Sequence, residues 1–94
     1  MKKYEIMYIL KPNLEDAERN TLIGKLHESF TIDGTIDHID EWGLRDLAYE
    51  IKGEKKGYYV VVNITASSTK GIDEFDRVAK INNNVIRHGI FAIK

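Results

Sequence analysis

The segment that decides the fold reads Tyr4-Glu5-Ile6-Met7-Tyr8-Ile9-Leu10. Side chains of a β-strand alternate between two faces, so the even-numbered residues share one face and the odd-numbered residues share the other. The even face is apolar throughout, whereas the odd face carries Glu5 beside Met7 and Ile9. The segment therefore predicts a strand whose even face is buried.

A helix is expected after this strand. Lys11-Pro12-Asn13 interrupts the alternation, and Asn13 is a suitable N-cap for a helix with an acidic first turn. Gly34 stands just beyond the expected end of the helix, where glycine is common. The apolar residues of this stretch recur at helical spacing and predict one buried stripe, made of Leu22, Ile23, Leu26 and Phe30.

Two strands joined by a hairpin come next. From Thr35 onwards the strand-like alternation changes phase, and a bulge near Gly43 would absorb the change. Residues 52–57 are polar and contain two glycines, and residues 58–65 are rich in β-branched and aromatic side chains. We therefore predict a β-hairpin whose connection, residues 52–57, is basic.

A second helix and a last strand complete the pattern. Ser67, Ser68 or Thr69 can cap the helix, and Asn82-Asn83-Asn84 ends it. Its apolar residues recur at helical spacing and are Ile72, Phe75, Val78, Ala79 and Ile81. In the last strand, Val85 to Ile93, we expect Arg87 to face outward and three residues to face inward, namely Ile86, His88 and Ile90.

The order strand, helix, strand, strand, helix, strand indicates an α+β fold of the ferredoxin-like βαββαβ type. Right-handed crossovers place both helices on one face of a mostly antiparallel four-stranded sheet with the order 4-1-3-2. We expect residues 1–94 to form this one domain, since a chain of 94 residues supports a single compact core. The other face of the sheet is left bare.

Composition excludes several classes of function. The chain has no cysteine, which removes disulfides, thiolate catalysis and Cys-type zinc sites. No apolar run approaches the ~18 residues of a membrane span, and the N-terminus does not resemble a signal peptide. We therefore expect a soluble cytoplasmic protein that contacts no membrane. The net charge of -1 means that any contact with nucleic acid must use a local basic patch.

No motif for catalysis is visible. The three histidines, His27, His38 and His88, lack the spacing of metal ligands, and neither a catalytic triad nor a phosphate-binding glycine loop occurs. The loop after the first strand, residues 11–14, lacks the glycines and arginine with which acylphosphatases of similar architecture bind phosphate. We predict no catalytic residue, no metal, no cofactor and no small-molecule substrate.

Lysines distant in the sequence are expected to form a basic end of the sheet. We predict that the start of strand one, the hairpin and the end of strand four meet there, bringing together Lys2, Lys3, Lys52, Lys55, Lys56 and Lys94. These residues would contact phosphates by charge, with Arg87 and the adjoining His88 as further RNA-binding candidates. The alternative is that they are ordinary solubilising lysines. Base stacking by Tyr58 is not expected, because Tyr58 shares its face with the apolar row that includes Val60.

The bare face of the sheet is expected to carry an apolar patch. Met7 and Ile9 of strand one and Tyr59 and Val61 of strand three point to this face, with Trp42 at the margin. Apolar patches of this kind usually mark a protein contact. Glu41 and Arg45 are placed either to restrain association of the free protein or to cover the patch. We predict a partner-protein interface made of Met7, Ile9, Trp42, Arg45, Tyr59 and Val61.

A longer motif points to one family. The stretch Gly43-Leu44-Arg45-Asp46-Leu47-Ala48-Tyr49-Glu50-Ile51-Lys52 meets every specified position of a signature that runs glycine, any, basic, polar, Leu, small, Tyr, any, Ile, polar or basic. Other stretches of the chain, which begin at Lys3, Glu41, Gly57 and Glu74, resemble the corresponding parts of the same family. Over nearly its whole length the chain resembles the sixth family of bacterial small-subunit ribosomal proteins.

The resemblance implies a ribosomal role without catalysis. It implies that the domain binds the central domain of small-subunit ribosomal RNA jointly with the eighteenth small-subunit ribosomal protein. From the charge pattern and the apolar patch, we expect the bare face to receive this partner while RNA meets the basic end. The alternative is a stand-alone ligand-binding or regulatory module of the same fold. Co-sedimentation with small ribosomal subunits favours the first function, and a free homodimer favours the second.

Overall fold

The structure, a computed structural model, describes residues 1–93. Its elements in chain order are β1 (Lys2–Leu10), α1 (Asp16–Phe30), β2 (Gly34–Ile51), β3 (Glu54–Ala66), α2 (Lys70–Ile81) and β4 (Val85–Ile93). The strands form one sheet in the order β2-β3-β1-β4, and all neighbouring pairs are antiparallel. The predicted ferredoxin-like fold and its strand order are confirmed.

The core lies between the helices and the even face of β1. Ile6, Tyr8 and Leu10 have no exposed surface, and the alternating residues of β3 are buried beside them. Phe30 of α1 and Phe75 of α2 meet above this row with their ring centroids 4.9 Å apart. The period-two pattern of β1 therefore identified the buried face correctly, because each apolar side chain on that face is removed from water.

Helix α1 begins later than the sequence predicted. Its N-cap is Glu15, which makes no side-chain capping bond, so the prediction that Asn13 caps the helix is wrong. Leu14 already packs against the core before the helix begins, and the chain turns at Pro12–Asn13 to bring it there. Helix α2 ends as predicted, but its last residue, Ile81, is 68 % exposed and does not belong to the buried stripe.

The start of α2 is capped from a distant part of the chain. The Asp33 carboxylate, in the connection between α1 and β2, accepts hydrogen bonds from the backbone N–H groups of Lys70 at 3.1 Å and Gly71 at 3.2 Å. The Ser68 hydroxyl donates to the same carboxylate and accepts a longer bond of 3.3 Å from Lys70 N–H. The sequence prediction named Ser68 but missed Asp33, which holds the end of α1 against the start of α2.

The predicted bulge near Gly43 is confirmed. Gly43 has a φ of +81°, and the pairing of β2 with β3 shifts register between Glu41 and Gly43. A second shift, between Ile36 and His38, was not predicted. Each shift turns the side chains that follow it onto the other face. Ile36 precedes both shifts and packs on the core, although simple alternation along β2 would group it with residues of the bare face.

The β2–β3 connection is shorter than predicted. Lys52 and Gly53 have φ angles of 50° and 80° and form the whole turn, so residues 54–57 belong to β3. The pairing jumps from Asp46 opposite Lys56 to Ile51 opposite Glu54, so the four residues 47–50 of β2 stand against the single residue Lys55 of β3. The end of the hairpin folds over one face of the sheet, since Tyr49 of the edge strand β2 is hydrogen-bonded to Arg87 of the opposite edge strand β4.

Strand β4 contains a bulge opposite the end of β1. The pairing of Ile9 with Arg87 and of Leu10 with Val85 leaves Ile86 without a direct partner. Val85 enters the core cluster in its place, so the expectation that Ile86 faces the helices is wrong although Ile86 is buried. The inward orientation of His88 and Ile90 is confirmed by the contact of His88 with α2 and the packing of Ile90 on the core.

Candidate partner and nucleic-acid surfaces

The bare face of the sheet carries the predicted apolar patch. Met7 lies directly opposite Val61, and Ile9 lies directly opposite Tyr59, so the four side chains are cross-strand neighbours. Met7, Tyr59 and Val61 are half-buried. Ile9 is only 3 % exposed although no helix lies on this face. The prediction of one contiguous patch is confirmed, and something other than a helix covers Ile9.

Part of this cover comes from the close approach of β3 to Ile9. A Cβ atom at Gly57 would lie 2.2 Å from Ile9 Cγ2, and the Cδ1 atom of Ile86 lies 3.4 Å from the same point. The glycine therefore leaves the space that the two isoleucine side chains fill. The hydrophobic cluster at this end of the bare face depends on Gly57 having no side chain.

The bent end of the hairpin covers the rest. Residues 47–51 lie beside the end of the bare face and enclose a hollow of about 230 Å³, called here the hairpin hollow. The side chains and backbone that line it come from all the strands, and they include Met7, Ile9, Leu47, Tyr49, Ile51, Tyr59, Arg87 and Phe91. Most of the lining is apolar, and among the described residues that form it Arg87 is the single Lys or Arg.

Arg87 connects β4 to the bent hairpin. Its Nη1 atom donates a hydrogen bond of 2.8 Å to the hydroxyl oxygen of Tyr49, which is 63 % exposed. The prediction that Arg87 faces outward is confirmed, since it pairs with Ile9 and lies on the bare face. The contact with Tyr49 was not predictable, because it requires the bend of residues 47–51.

Trp42 lies on the patch. Its indole stacks on the ring of Tyr59, with centroids 6.1 Å apart and planes inclined by 8°. Nε1 donates to the Asp40 carboxylate at 2.9 Å, and the Arg45 guanidinium lies 5.8 Å from the indole centroid. Trp42 is still 44 % exposed, so it extends the patch and also shields one face of Tyr59.

Glu41 belongs to the opposite face, which corrects the prediction that Glu41 and Arg45 guard the patch together. The Tyr58 hydroxyl donates to Glu41 at 2.8 Å on the helix side, where the Arg19 guanidinium lies 4.4 Å from the Tyr58 ring centroid. Burial and then the nearby Glu41 carboxylate raise the pKa of Tyr58. Arg45 alone remains beside the patch.

The predicted basic end is divided between two ends of the sheet. Lys2 pairs with Ala66 at the end of β3, and the hairpin turn precedes the first residue of β3, so the two lysine groups lie at opposite ends. The prediction was wrong because β3 runs antiparallel to β1 and therefore starts where β1 ends. Lys2 and Lys3 occupy one end, and the exposed hairpin lysines, Lys52, Lys55 and Lys56, occupy the other. Lys94 lies outside the described residues.

His88 is placed away from the basic groups. Its Nε2 atom lies 2.8 Å from the Asp76 carboxylate on α2, and its ring meets the Phe75 ring edge-on with centroids 5.6 Å apart. Asp76 also bonds Lys80 at 2.9 Å, and hydrogen bonds from Lys80 and then His88 lower the pKa of the Asp76 carboxyl. His88 therefore joins β4 to α2 on the helix side, whereas its neighbour Arg87 faces the other way.

Residues 1–93 offer no metal-binding cluster of side chains. In this range no three or more His, Asp or Glu side chains are grouped so that they could hold a metal ion. Neither helix of the same range has the length and apolarity needed to cross a membrane.

Comparison with known proteins gives consistent matches. The family model described as Ribosomal protein S6 matches residues 3–92. The small ribosomal subunit protein bS6 of Alkaliphilus oremlandii is 47 % identical over 94 residues, which cover 100 % of this chain and 99 % of that relative. The crystal structure of 30S ribosomal protein S6 from Thermotoga maritima superposes with a TM-score of 0.91 at 28 % identity, covering 98 % of this chain and 87 % of that one.

Proposed function

This chain belongs to the ribosomal protein S6 family, and on that basis we propose that it binds the central domain of small-subunit ribosomal RNA together with the eighteenth small-subunit ribosomal protein. As a member of this family it is a structural constituent of the small ribosomal subunit and not an enzyme. We place its function in ribosomes of the cytoplasm.

The observation that supports a protein partner is the apolar patch on the bare face. Met7, Tyr59 and Val61 are half-buried, and Trp42 remains 44 % exposed above them. Aromatic residues and methionine are enriched at protein interfaces, and arginine such as Arg45 is enriched with them. The partner-protein interface is thus proposed to consist of Met7, Ile9, Trp42, Arg45, Tyr59 and Val61.

The RNA contact is assigned to the hairpin lysines. Lys52, Lys55 and Lys56 project from one end of the sheet, and only Lys56 has a carboxylate neighbour within ion-pair distance in the described part of the chain, Asp46 at 3.9 Å. Such lysines can neutralise phosphates without reading the bases. Lys2 and Lys3 at the far end of the sheet would form a separate contact.

Substituting Val61→Asp tests the partner interface. We expect partner binding to be abolished, because a carboxylate in the middle of the apolar interface would be buried without a counter-charge. The loss of stability should be only about 1 kcal/mol, since Val61 is half-buried. Binding of the purified eighteenth protein is measured by calorimetry, and stability is measured by urea unfolding.

The matched control is Leu44→Asp. Leu44 is 56 % exposed on the neighbouring strand and pairs with Tyr58, on the helix side of the sheet. This variant carries the same new charge and should bind the partner normally. A folded Val61→Asp protein that binds as tightly as the control would place the partner elsewhere.

A further inference from the structure

The hairpin hollow has the size of a single side chain. Its volume of about 230 Å³ is below the ~300–1,000 Å³ of pockets that bind small molecules. Its floor is formed by Met7 and Ile9 of the sheet, and Leu47 and Ile51 of the bent hairpin stand beside them. A flat apolar patch binds by area, whereas a hollow of this kind can hold one side chain of a partner in a fixed position.

Arg87 supplies a charge at the edge of the hollow. Its guanidinium has five N–H donors, and the contact with Tyr49 uses one of them at Nη1. No ion pair within residues 1–93 includes Arg87. The Tyr49 hydroxyl is a neutral acceptor, so the described part of the chain gives this cation no anionic partner. A carboxylate could bind the remaining donors as a fork while the bond to Tyr49 is kept.

We propose that the hairpin hollow is the anchor site of the protein partner, and that it takes one apolar side chain of an extended segment whose neighbouring carboxylate binds Arg87. This proposal rests on the proposed function, since it specifies the chemistry of the partner at the same face. It also assigns Arg87 to the protein contact and not to RNA phosphate.

The same surface is less suitable for RNA. An unstacked base is recognised by exposed aromatic faces, and Trp42 already stacks on Tyr59 with the planes only 8° apart. The lining of the hollow also includes the aromatic residues Tyr49, Tyr59 and Phe91, but Arg87 is the single Lys or Arg among its described lining residues, so a nucleotide would find little charge there to neutralise its phosphates. The observations therefore favour a peptide segment.

Three variants test the anchor site by calorimetry with the purified eighteenth small-subunit protein. Ala48→Phe places a ring at the wall of the hollow and should weaken binding at least ~10-fold, because the anchor side chain loses its space. Arg87→Gln removes the charge and should weaken binding by a similar factor. Arg87→Lys should give an intermediate loss, because it keeps the charge without the fork.

Each variant is also titrated with central-domain RNA over a range of salt concentrations. We expect the salt slope to stay unchanged in all three. If Arg87→Gln binds the partner normally but lowers the RNA slope by about one, Arg87 contacts a phosphate and the proposal is overturned. Circular dichroism confirms the fold, and Leu47→Ala, which removes a wall of the hollow, replaces Ala48→Phe if that protein does not fold.

The outcomes separate this proposal from the proposed function. If Val61→Asp abolishes partner binding while Ala48→Phe and Arg87→Gln retain it, the bare face binds the partner but the hollow is not its anchor. If all three variants bind the partner normally, the interface on the bare face is itself refuted.

Discussion

Gly57 and Gly24 are two glycines with opposite surroundings. A Cβ at Gly57 would lie 2.2 Å from Ile9 Cγ2, whereas a Cβ built at Gly24, in the middle of α1, would have nothing within 4 Å apart from its chain neighbours and the backbone of its own helix. Neither glycine has a positive φ, so backbone strain does not separate them. The difference between them is the space available to one methyl group.

This contrast predicts opposite effects of the same substitution. Gly57→Ala should lower the free energy of unfolding by about 1–3 kcal/mol, because the new methyl group displaces Ile9 from a well-packed site. Gly24→Ala should raise it by about 0.5–1 kcal/mol, because alanine restricts the unfolded chain and favours the helix. Urea unfolding of both proteins measures the pair. Equal effects of the two substitutions would show that the packing around Gly57 yields easily.

At the scale of elements, α2 depends on a residue outside its own segment. Asp33 follows α1 and accepts the N–H groups of Lys70 and Gly71, while its backbone carbonyl accepts from Ser67 N–H at 2.9 Å. The hydrogen bond from Ser68, together with the backbone N–H groups, lowers the pKa of the Asp33 carboxyl. The ionised carboxylate thus joins the two helices at one end of the domain.

The lowered pKa of Asp33 determines a pH dependence. The carboxyl is easier to ionise in the folded state, so its stabilising contribution is complete above the unfolded pKa of about 3.9 and disappears as the pH falls through the folded pKa. Asp33→Ala should therefore be less stable than the unsubstituted protein at pH 7, and the difference should shrink in acid. Urea unfolding at pH 7 and below pH 3 compares the two proteins.

Asp33→Asn serves as the control for charge. Its amide oxygen can accept one of the backbone bonds but does not titrate. A stability difference between Asp33→Ala and the unsubstituted protein that stays constant from pH 7 to acid would contradict the role of the ionised carboxylate.

The hairpin is the second element with a testable role. Replacing Lys55 and Lys56 together by Glu should weaken RNA-dependent assembly and reduce its salt slope by about one unit for each phosphate that the lysines no longer neutralise. Lys25 of α1 and Lys70 of α2, replaced in the same way, form the matched control because both are exposed and neither is assigned to the RNA contact. Filter binding of central-domain RNA with the partner present measures both slopes. An unchanged slope in the Lys55 and Lys56 variant removes the hairpin from the RNA interface.

At the scale of the whole molecule, alternation and helical spacing were sufficient for the fold. The apolar row of Ile6, Tyr8 and Leu10 identified the core. Met7 and Val61 alternate with the buried residues of their strands, and they identified the bare face. These predictions succeeded because burial of one face repeats with the geometry of the strand itself. The same pattern located the bulge at Gly43, because a bulge shifts the alternation by one residue.

The remaining features depend on contacts between distant residues. Asp33 caps α2 across 37 residues, and Arg87 meets Tyr49 across 38, and no local pattern marks either pair. Glu41 was assigned to the wrong face because its role beside Tyr58 depends on register shifts that composition does not show. The two lysine groups were predicted to lie together, although the antiparallel direction of β3 separates them. Lysines that are distant in the sequence can be assigned to one end of a sheet only when the direction of each strand is known.

The position of Trp42 also determines what the intrinsic fluorescence of this protein reports. It is the single tryptophan of the chain, and it lies outside the core, stacked on Tyr59 and beside Arg45. Its fluorescence therefore responds to the state of the bare face before it responds to the packing of the helices. A ligand that covers this face would change the wavelength and intensity of the emission without any label, while a loss of helical packing alone would leave the indole in nearly the same surroundings.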